Sequence, residues 1–104
     1  VVNYNCGLIY TLYQKMNKRI ILGYTKEDIY ISNLCSNYNY RLIGARKGTK
    51  LELNILEATL IELGHNKLSY NCYEYSRNLI KNLNTLGWPV DKISKEYKIK
   101  KSFH

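Results

Sequence analysis

Residues 7–25 read GLIYTLYQKMNKRIILGYT, two apolar stretches on either side of a polar turn. In residues 7–13, β-branched and aromatic side chains alternate in the way that is typical of a β-strand. The polar residues 14–18 predict a turn, and residues 19–24 predict the returning strand. This stretch therefore predicts an antiparallel hairpin, and the other elements are placed relative to it.

Downstream of the hairpin, the sequence predicts a helix and then a third strand. Thr25 precedes the charged residues 26–28, a pattern typical of an N-cap and an acidic first helical turn. The helix is expected to run through Leu34, although its apolar residues also suit a strand. A polar loop at 36–39 and a strand at 40–45 follow.

From residue 49 the apolar residues recur at helical spacing. Thr49 is the expected N-cap, Glu52 completes a capping box, and Gly64 ends the helix. Residues 65–73 are polar and irregular, with room for a short strand. The apolar residues at helical spacing are Leu51, Ile55, Leu56, Leu60 and Leu63.

A last helix is expected over residues 74–86, and Gly87 followed by Pro89 ends it. Its predicted apolar face comprises Tyr75, Leu79, Ile80 and Leu83. Trp88 is expected to fill the edge of the core. The whole pattern predicts an α+β fold, in which helices flank a small three-stranded antiparallel sheet.

Length and composition limit the organisation of the chain. Its 104 residues and 12.3 kDa fit one small domain, predicted over 1–88, with a basic tail over 89–104. The tail is either an arm that orders on nucleic acid or a short helix packed on the body. No apolar run reaches the ~18 residues of a membrane span, and no signal peptide is recognised, so we expect no membrane insertion. Three widely spaced cysteines favour reduced thiols and an intracellular, reducing compartment, cytoplasmic or organellar.

The chain is strongly basic. Its sixteen Lys and Arg against eight Asp and Glu give a net charge of +8. This excess favours a polyanionic partner, by default nucleic acid, although lysines also serve solubility alone. Candidate phosphate contacts are Arg41, Arg46, Lys47 and Lys50 near the third strand, and Lys98, Lys100 and Lys101 in the tail.

The two strands of the hairpin also carry short motifs. Gly7-Leu-Ile-Tyr10 opens the first strand, and Ile21-Leu-Gly-Tyr-Thr25 closes the second. With Leu42-Ile-Gly44 and the segment 48–52, these motifs resemble the GIY-YIG endonuclease superfamily. The resemblance covers about residues 6–88.

The resemblance implies a nuclease site with one divalent metal, Mg²⁺ if the chain is active, that cleaves DNA phosphodiester bonds. A carboxylate holds such a cation, the cation stabilises charge on the phosphate, and a tyrosine oxygen activates water. Tyr10 and Gly23 match the two motifs, and Tyr24 is the remaining catalytic candidate. Glu52 is the best metal ligand by its distance from Gly48; Glu57 is a second candidate, and the capping box is an alternative role for Glu52.

Two departures from the family pattern affect catalysis. Ile21 occupies the place of the second motif's tyrosine, and the segment 27–34 lacks the expected arginine. The sequence therefore predicts a catalytically degenerate GIY-YIG-like subunit, uncertain as an enzyme. It would bind DNA or RNA, or an acidic protein surface, within a ribonucleoprotein or other complex. The alternative is an active metal-dependent endonuclease.

Overall fold

The predicted order of the main elements is confirmed in the computed structural model, which describes residues 3–90, with side chains from residue 7 onward. The protein has an α+β fold. Its elements are β1 (Asn3–Gln14), β2 (Arg19–Glu27), α1 (Asp28–Tyr38), β3 (Arg41–Lys47), α2 (Lys50–Glu62), β4 (Lys67–Ser69), β5 (Cys72–Glu74) and α3 (Arg77–Thr85).

The strands form one antiparallel sheet in the order β3-β1-β2-β5-β4. The sheet thus has five strands, and the predicted number of three was wrong. The additional hairpin lies within the irregular segment 65–73 and its immediate continuation. Its strands have three residues each, too few to show an alternating pattern. Strand β5 is held by pairing with β2, from Arg19↔Glu74 to Ile21↔Cys72.

The first helix begins later than predicted. Thr25 is not its N-cap, because it remains in β2 opposite Leu8 of β1. The Thr25 hydroxyl oxygen instead accepts a hydrogen bond from the Glu27 amide at 3.2 Å. Helix α1 starts at Asp28, where Glu27 caps it without a side-chain hydrogen bond, and it runs to Tyr38, so most of the loop predicted at 36–39 is helical. Pairing with the long first strand therefore overrides the local capping signal.

Two apolar clusters lie on opposite faces of the sheet. Helix α1 covers one face, where Tyr10, Leu12 and Ile31 are buried together. Helices α2 and α3 cover the other face and the larger cluster. The larger cluster comprises Ile9, Ile20, Leu22, Ile43, Leu53, Leu56, Leu60, Tyr73, Leu79, Ile80, Leu83, Trp88 and Val90.

Helix α2 has the predicted capping box but a different buried face. The Thr49 side chain accepts from the Glu52 amide, and the Glu52 carboxylate accepts from the Thr49 amide. Its buried residues are Leu53, Leu56 and Leu60, whereas Leu51, Ile55 and Leu63 are exposed. The apolar residues of this helix form two overlapping stripes with the same period, and only packing selects between them.

Helix α3 has the predicted apolar face, with Leu79, Ile80 and Leu83 buried. It starts at Arg77 and not at the predicted residue 74, because Glu74 lies in β5 and the Ser76 side chain caps the helix by accepting a hydrogen bond from the Leu79 amide. Trp88 fills the edge of the core as predicted, and the buried chain continues through Val90.

Residues 91–104, and with them most of the predicted tail, lie outside the described residues. Between residues 3 and 90, no helix has the length and apolar character to cross a bilayer.

Candidate nucleic-acid interface

Tyr10 and Gly23 lie directly opposite each other on β1 and β2. The Tyr10 ring covers Gly23 so closely that a Cβ at residue 23 would collide with it. The glycine of the second motif therefore has a structural function here, because it admits the aromatic ring of the first motif. Tyr10 itself is 1% exposed.

The environment of Tyr10 keeps its hydroxyl protonated. Burial, and to a smaller extent the neighbouring Tyr30 and Tyr70, raise the pKa of Tyr10 well above its usual range. A phenol acting as general base must lose its proton near neutral pH. In this structure Tyr10 is a core residue with a neutral hydroxyl.

An apolar side chain occupies the position where the family pattern expects the second motif's tyrosine. Ile21 packs against the same cluster as Tyr10. Helix α1 contributes Ile31 to that cluster, and this side chain is 6% exposed. The α1 face of the sheet near Tyr10 is therefore closed by hydrocarbon, and α1 itself supplies no arginine to bind a phosphate.

Tyr24 lies on the other face of the sheet. Neighbouring residues of a strand point to opposite faces, and Tyr24 packs against the cluster beneath α2 and α3. Its ring lies over Gly7, where a Cβ would clash with it. The three catalytic candidates Tyr10, Gly23 and Tyr24 are thus adjacent along the strands, but the two tyrosines are separated by the sheet.

Glu52 is engaged in local structure at the start of α2. Its Oε2 accepts from the Thr49 amide at 2.8 Å, and Arg46 Nη1 lies 3.6 Å from Oε1. Within the described part of the chain, no three His, Cys, Asp or Glu side chains are grouped as a metal site requires. Mg²⁺ is commonly bound through one or two carboxylates, with waters completing its shell, and at Glu52 it would compete with Arg46. In this structure the Glu52 carboxylate is engaged by the Thr49 amide and by Arg46.

The second glutamate candidate is also paired. Glu57 Oε2 lies 3.1 Å from Lys67 Nζ. Burial and the nearby Glu57 carboxylate raise the pKa of Tyr73 to about 12. Glu57 therefore connects α2 to the β4–β5 hairpin.

The predicted basic residues of the body do not form one patch. Arg41 begins β3 opposite Tyr13, and Lys47 ends it opposite Leu8. At ~3.3 Å per residue, Arg41 and Arg46 are roughly 17 Å apart along the strand. The structure groups Arg46, Lys47 and Lys50 and places Arg41 at the other end of the sheet.

We call the first of these ends the glycine end, because Gly7 and Gly48 meet there through a backbone hydrogen bond of 3.2 Å. Three carboxylates accompany its cations and leave little net charge. Arg46 also donates to the Gly87 and Lys47 carbonyls, and Lys50 donates to the Tyr70 hydroxyl at 3.2 Å. The charged residues of the glycine end are Lys26, Arg46, Lys47, Lys50, Glu27, Asp28 and Glu52.

The opposite end, which we call the hairpin end, holds five cations: Lys15, Lys18, Arg19, Arg41 and Arg77. The sequence analysis did not single out four of them. The β1–β2 turn supplies the two lysines, Arg19 faces Glu74 on β5, and the Tyr75 amide bonds to the Lys18 carbonyl at 2.8 Å. That bond brings the start of α3 to the turn. The three cations within residues 15–19 were the available sequence signal, whereas the positions of Arg41 and Arg77 follow from the fold.

Lys98, Lys100 and Lys101 of the tail lie outside the described residues, and their predicted contact with phosphates stays a prediction.

Comparisons with protein-family models, with curated proteins and with solved structures find no match for this chain.

Proposed function

We propose that this protein is a binding subunit with a catalytically degenerate GIY-YIG-like fold, and that its partner is DNA or RNA. One observation supports the proposed loss of catalysis: the predicted catalytic groups do not lie together at one site. Tyr10 is buried beneath α1, Tyr24 lies on the other face, and Glu52 is used by the capping box and Arg46. A water-activating group and a phosphate-stabilising group must lie within hydrogen-bond reach of one substrate position.

The charge of the folded body supports a polyanionic partner. Residues 3–90 contain eleven Lys and Arg against six Asp and Glu, which leaves +5 of the total +8. Two ion pairs form within these residues, and they use Arg46 and Lys67. Most cations of the body are therefore available to phosphates, whose counterions are released on binding.

The same charge also suits an acidic protein surface in a larger complex, which is the competing partner class.

The free thiols of Cys35 and Cys72 support placement in an intracellular, reducing compartment.

A gel assay separates binding from cleavage. Wild type and Glu52→Ala are incubated with supercoiled DNA and with structured RNA, with magnesium or manganese present, and cleavage and retention are scored together. We expect no cleavage and salt-sensitive retention by both proteins. Glu62→Ala, which removes an exposed carboxylate from the end of the same helix, is the matched control.

Metal-dependent cleavage by wild type that is abolished only in Glu52→Ala would establish the endonuclease alternative. Absence of both cleavage and retention would reject nucleic acid as the partner and favour the acidic protein surface.

A further inference from the structure

The hairpin end has a concentration of positive charge that is not neutralised by ion pairs among residues 3–90. Its five cations are exposed, and Glu74 lies opposite Arg19 on β5. Glu74 also accepts a hydrogen bond from Asn66 at 2.7 Å. Neither ion pair formed within residues 3–90 involves a cation of this end. Like charges gathered at one end of a small sheet repel one another unless a polyanion neutralises them.

Tyrosines lie among these cations. The rings of Tyr13 and Tyr75 are 5.0 Å apart, and Tyr13 is close enough to Arg41 for the guanidinium to oppose the rise of its pKa. Burial raises the pKa of Tyr40 and the nearby Arg19 opposes that rise, and Tyr38 at the end of α1 is 60% exposed. Cations that bind phosphates, interleaved with aromatic rings that stack on bases, are the two components of surfaces that bind single strands.

The backbone at the hairpin end has one feature that favours the binding of an anion and one that opposes it. Helix α3 begins at this end with Arg77 and no acidic residue in its first turn, so its positive dipole end faces outward. Helix α1 ends here, and its Tyr38 carbonyl accepts a hydrogen bond from the Gln14 side chain at 2.7 Å. The Gln14 side chain thus satisfies one of the carbonyls at the C-terminus of α1, whose partial negative charge opposes the binding of a phosphate.

We infer that the hairpin end binds a single-stranded segment of nucleic acid, with Lys15, Lys18 and the three arginines on phosphates and Tyr38 stacked on a base. This inference rests on the proposed function and names the surface and the strand state of the partner. A duplex offers phosphates but keeps its bases stacked inside, so it uses the cations and leaves the tyrosine without a partner.

The test measures fluorescence anisotropy of a labelled oligonucleotide of about 20 nucleotides, single-stranded or duplex, across salt concentrations of about 50 to 300 mM. Lys15→Gln/Lys18→Gln is compared with Lys47→Gln/Lys50→Gln. Both variants lose two positive charges, one pair from each end. Thermal melting monitored by circular dichroism verifies that each variant is folded.

For single strands, the slope of log affinity against log salt is about −0.7 per phosphate contact. We expect the hairpin-end variant to have a shallower slope, by about 1.4, and the glycine-end variant to keep the wild-type slope. Equal changes in the two variants, or a change confined to the glycine end, would overturn the inference.

Stacking is tested with a second matched pair. Tyr38→Ala should weaken single-strand binding at least about fivefold and leave duplex binding unchanged. Tyr70→Ala removes another exposed tyrosine, 72% exposed and bonded to Lys50 at the other end, and should leave both affinities unchanged. Duplex binding as tight as single-strand binding would contradict the proposed strand state.

Failure of the inference and failure of the proposed function give different results. If wild type binds no oligonucleotide at any salt concentration, the proposed function fails and the inference fails with it. If wild type binds, but only substitution of the tail residues Lys98, Lys100 and Lys101 lowers the slope, nucleic-acid binding stands and the hairpin end is not its surface.

Discussion

The two ends of the sheet carry similar numbers of cations but use them differently. At the glycine end, Arg46 bonds to two carbonyls and lies beside Glu52, and Lys50 bonds to Tyr70. At the hairpin end, five cations are exposed, and Glu74 lies opposite one of them, Arg19. The first end uses its polar groups in contacts within the protein, whereas no cation of the second forms an ion pair among residues 3–90.

This difference shows why a motif match alone does not locate a function. The residues that resemble a nuclease lie mainly at and near the glycine end, where tight packing and capping account for Gly23, Thr49 and Glu52. The concentration of unused charge lies at the other end of the same strands. The predictions that follow test this division, beginning with the largest expected effect.

Gly23→Ala should destabilise the protein by about 1 to 3 kcal/mol, because the new methyl group enters the space of the Tyr10 ring in a closed core. Urea unfolding measures the change. Gly64→Ala is the control: its site has φ +85 and nothing within 4 Å, so only backbone strain of about 1 kcal/mol is expected. A smaller loss for Gly23→Ala than for Gly64→Ala would contradict the tight packing.

Thr49→Ala should cost about 1 kcal/mol of stability by removing the N-cap of α2. Glu52→Ala should also destabilise, and the double variant should lose less than the sum, because the two residues form one capping box. Thr85→Ala, which removes an exposed hydroxyl bonded to the Lys81 carbonyl, is the control. If Glu52→Ala is instead more stable than wild type, the carboxylate is not a structural group.

Lys15→Gln should stabilise the free protein by a few tenths of a kcal/mol at low salt, since it relieves repulsion at the hairpin end. Added salt should remove the gain by screening. Lys47→Gln should give no gain, because carboxylates share the glycine end. Urea unfolding at two salt concentrations makes the comparison, and equal gains for both variants would show that the charge is not concentrated at one end.

The smallest effect is expected at His65, which belongs to neither end. Its Nε2 lies 2.8 Å from Asn82 Nδ2, and burial lowers the pKa of His65 from 6.5. The unfolded chain therefore binds this proton first as the pH falls. The contribution of neutral His65 to stability should be fully present above about pH 6.5, and it should be lost as the pH falls through the lowered pKa of the folded state.

In pH-dependent unfolding, His65→Gln should flatten that decrease, whereas His104→Gln should leave it as in wild type. The same slope in His65→Gln as in wild type would show that His65 does not contribute to the acid loss.

The sequence predicts the elements with a long periodic signal better than the short ones. The β1–β2 hairpin, the capping box of α2 and the apolar face of α3 are confirmed. The β4–β5 hairpin and the start of α1 are not, because three-residue strands lack periodicity and strand pairing displaces the Thr25 cap. The sequence identifies the candidate residues one by one. Whether they lie together at one site depends on which face of the sheet each side chain occupies, and the sequence does not give that.

Alternation in β1 and β2 and the helical period of residues 49–64 are properties of the chain itself, and they determine an α+β fold with a basic body. Only the tertiary structure decides that α1 covers Tyr10 while α2 and α3 cover Tyr24, and that Arg41 and Arg77 join the turn lysines. The physical reason is the separation along the chain over which each effect acts. Period and capping act over a few neighbouring residues, whereas charge becomes a surface only when sheet pairing brings distant segments to one end.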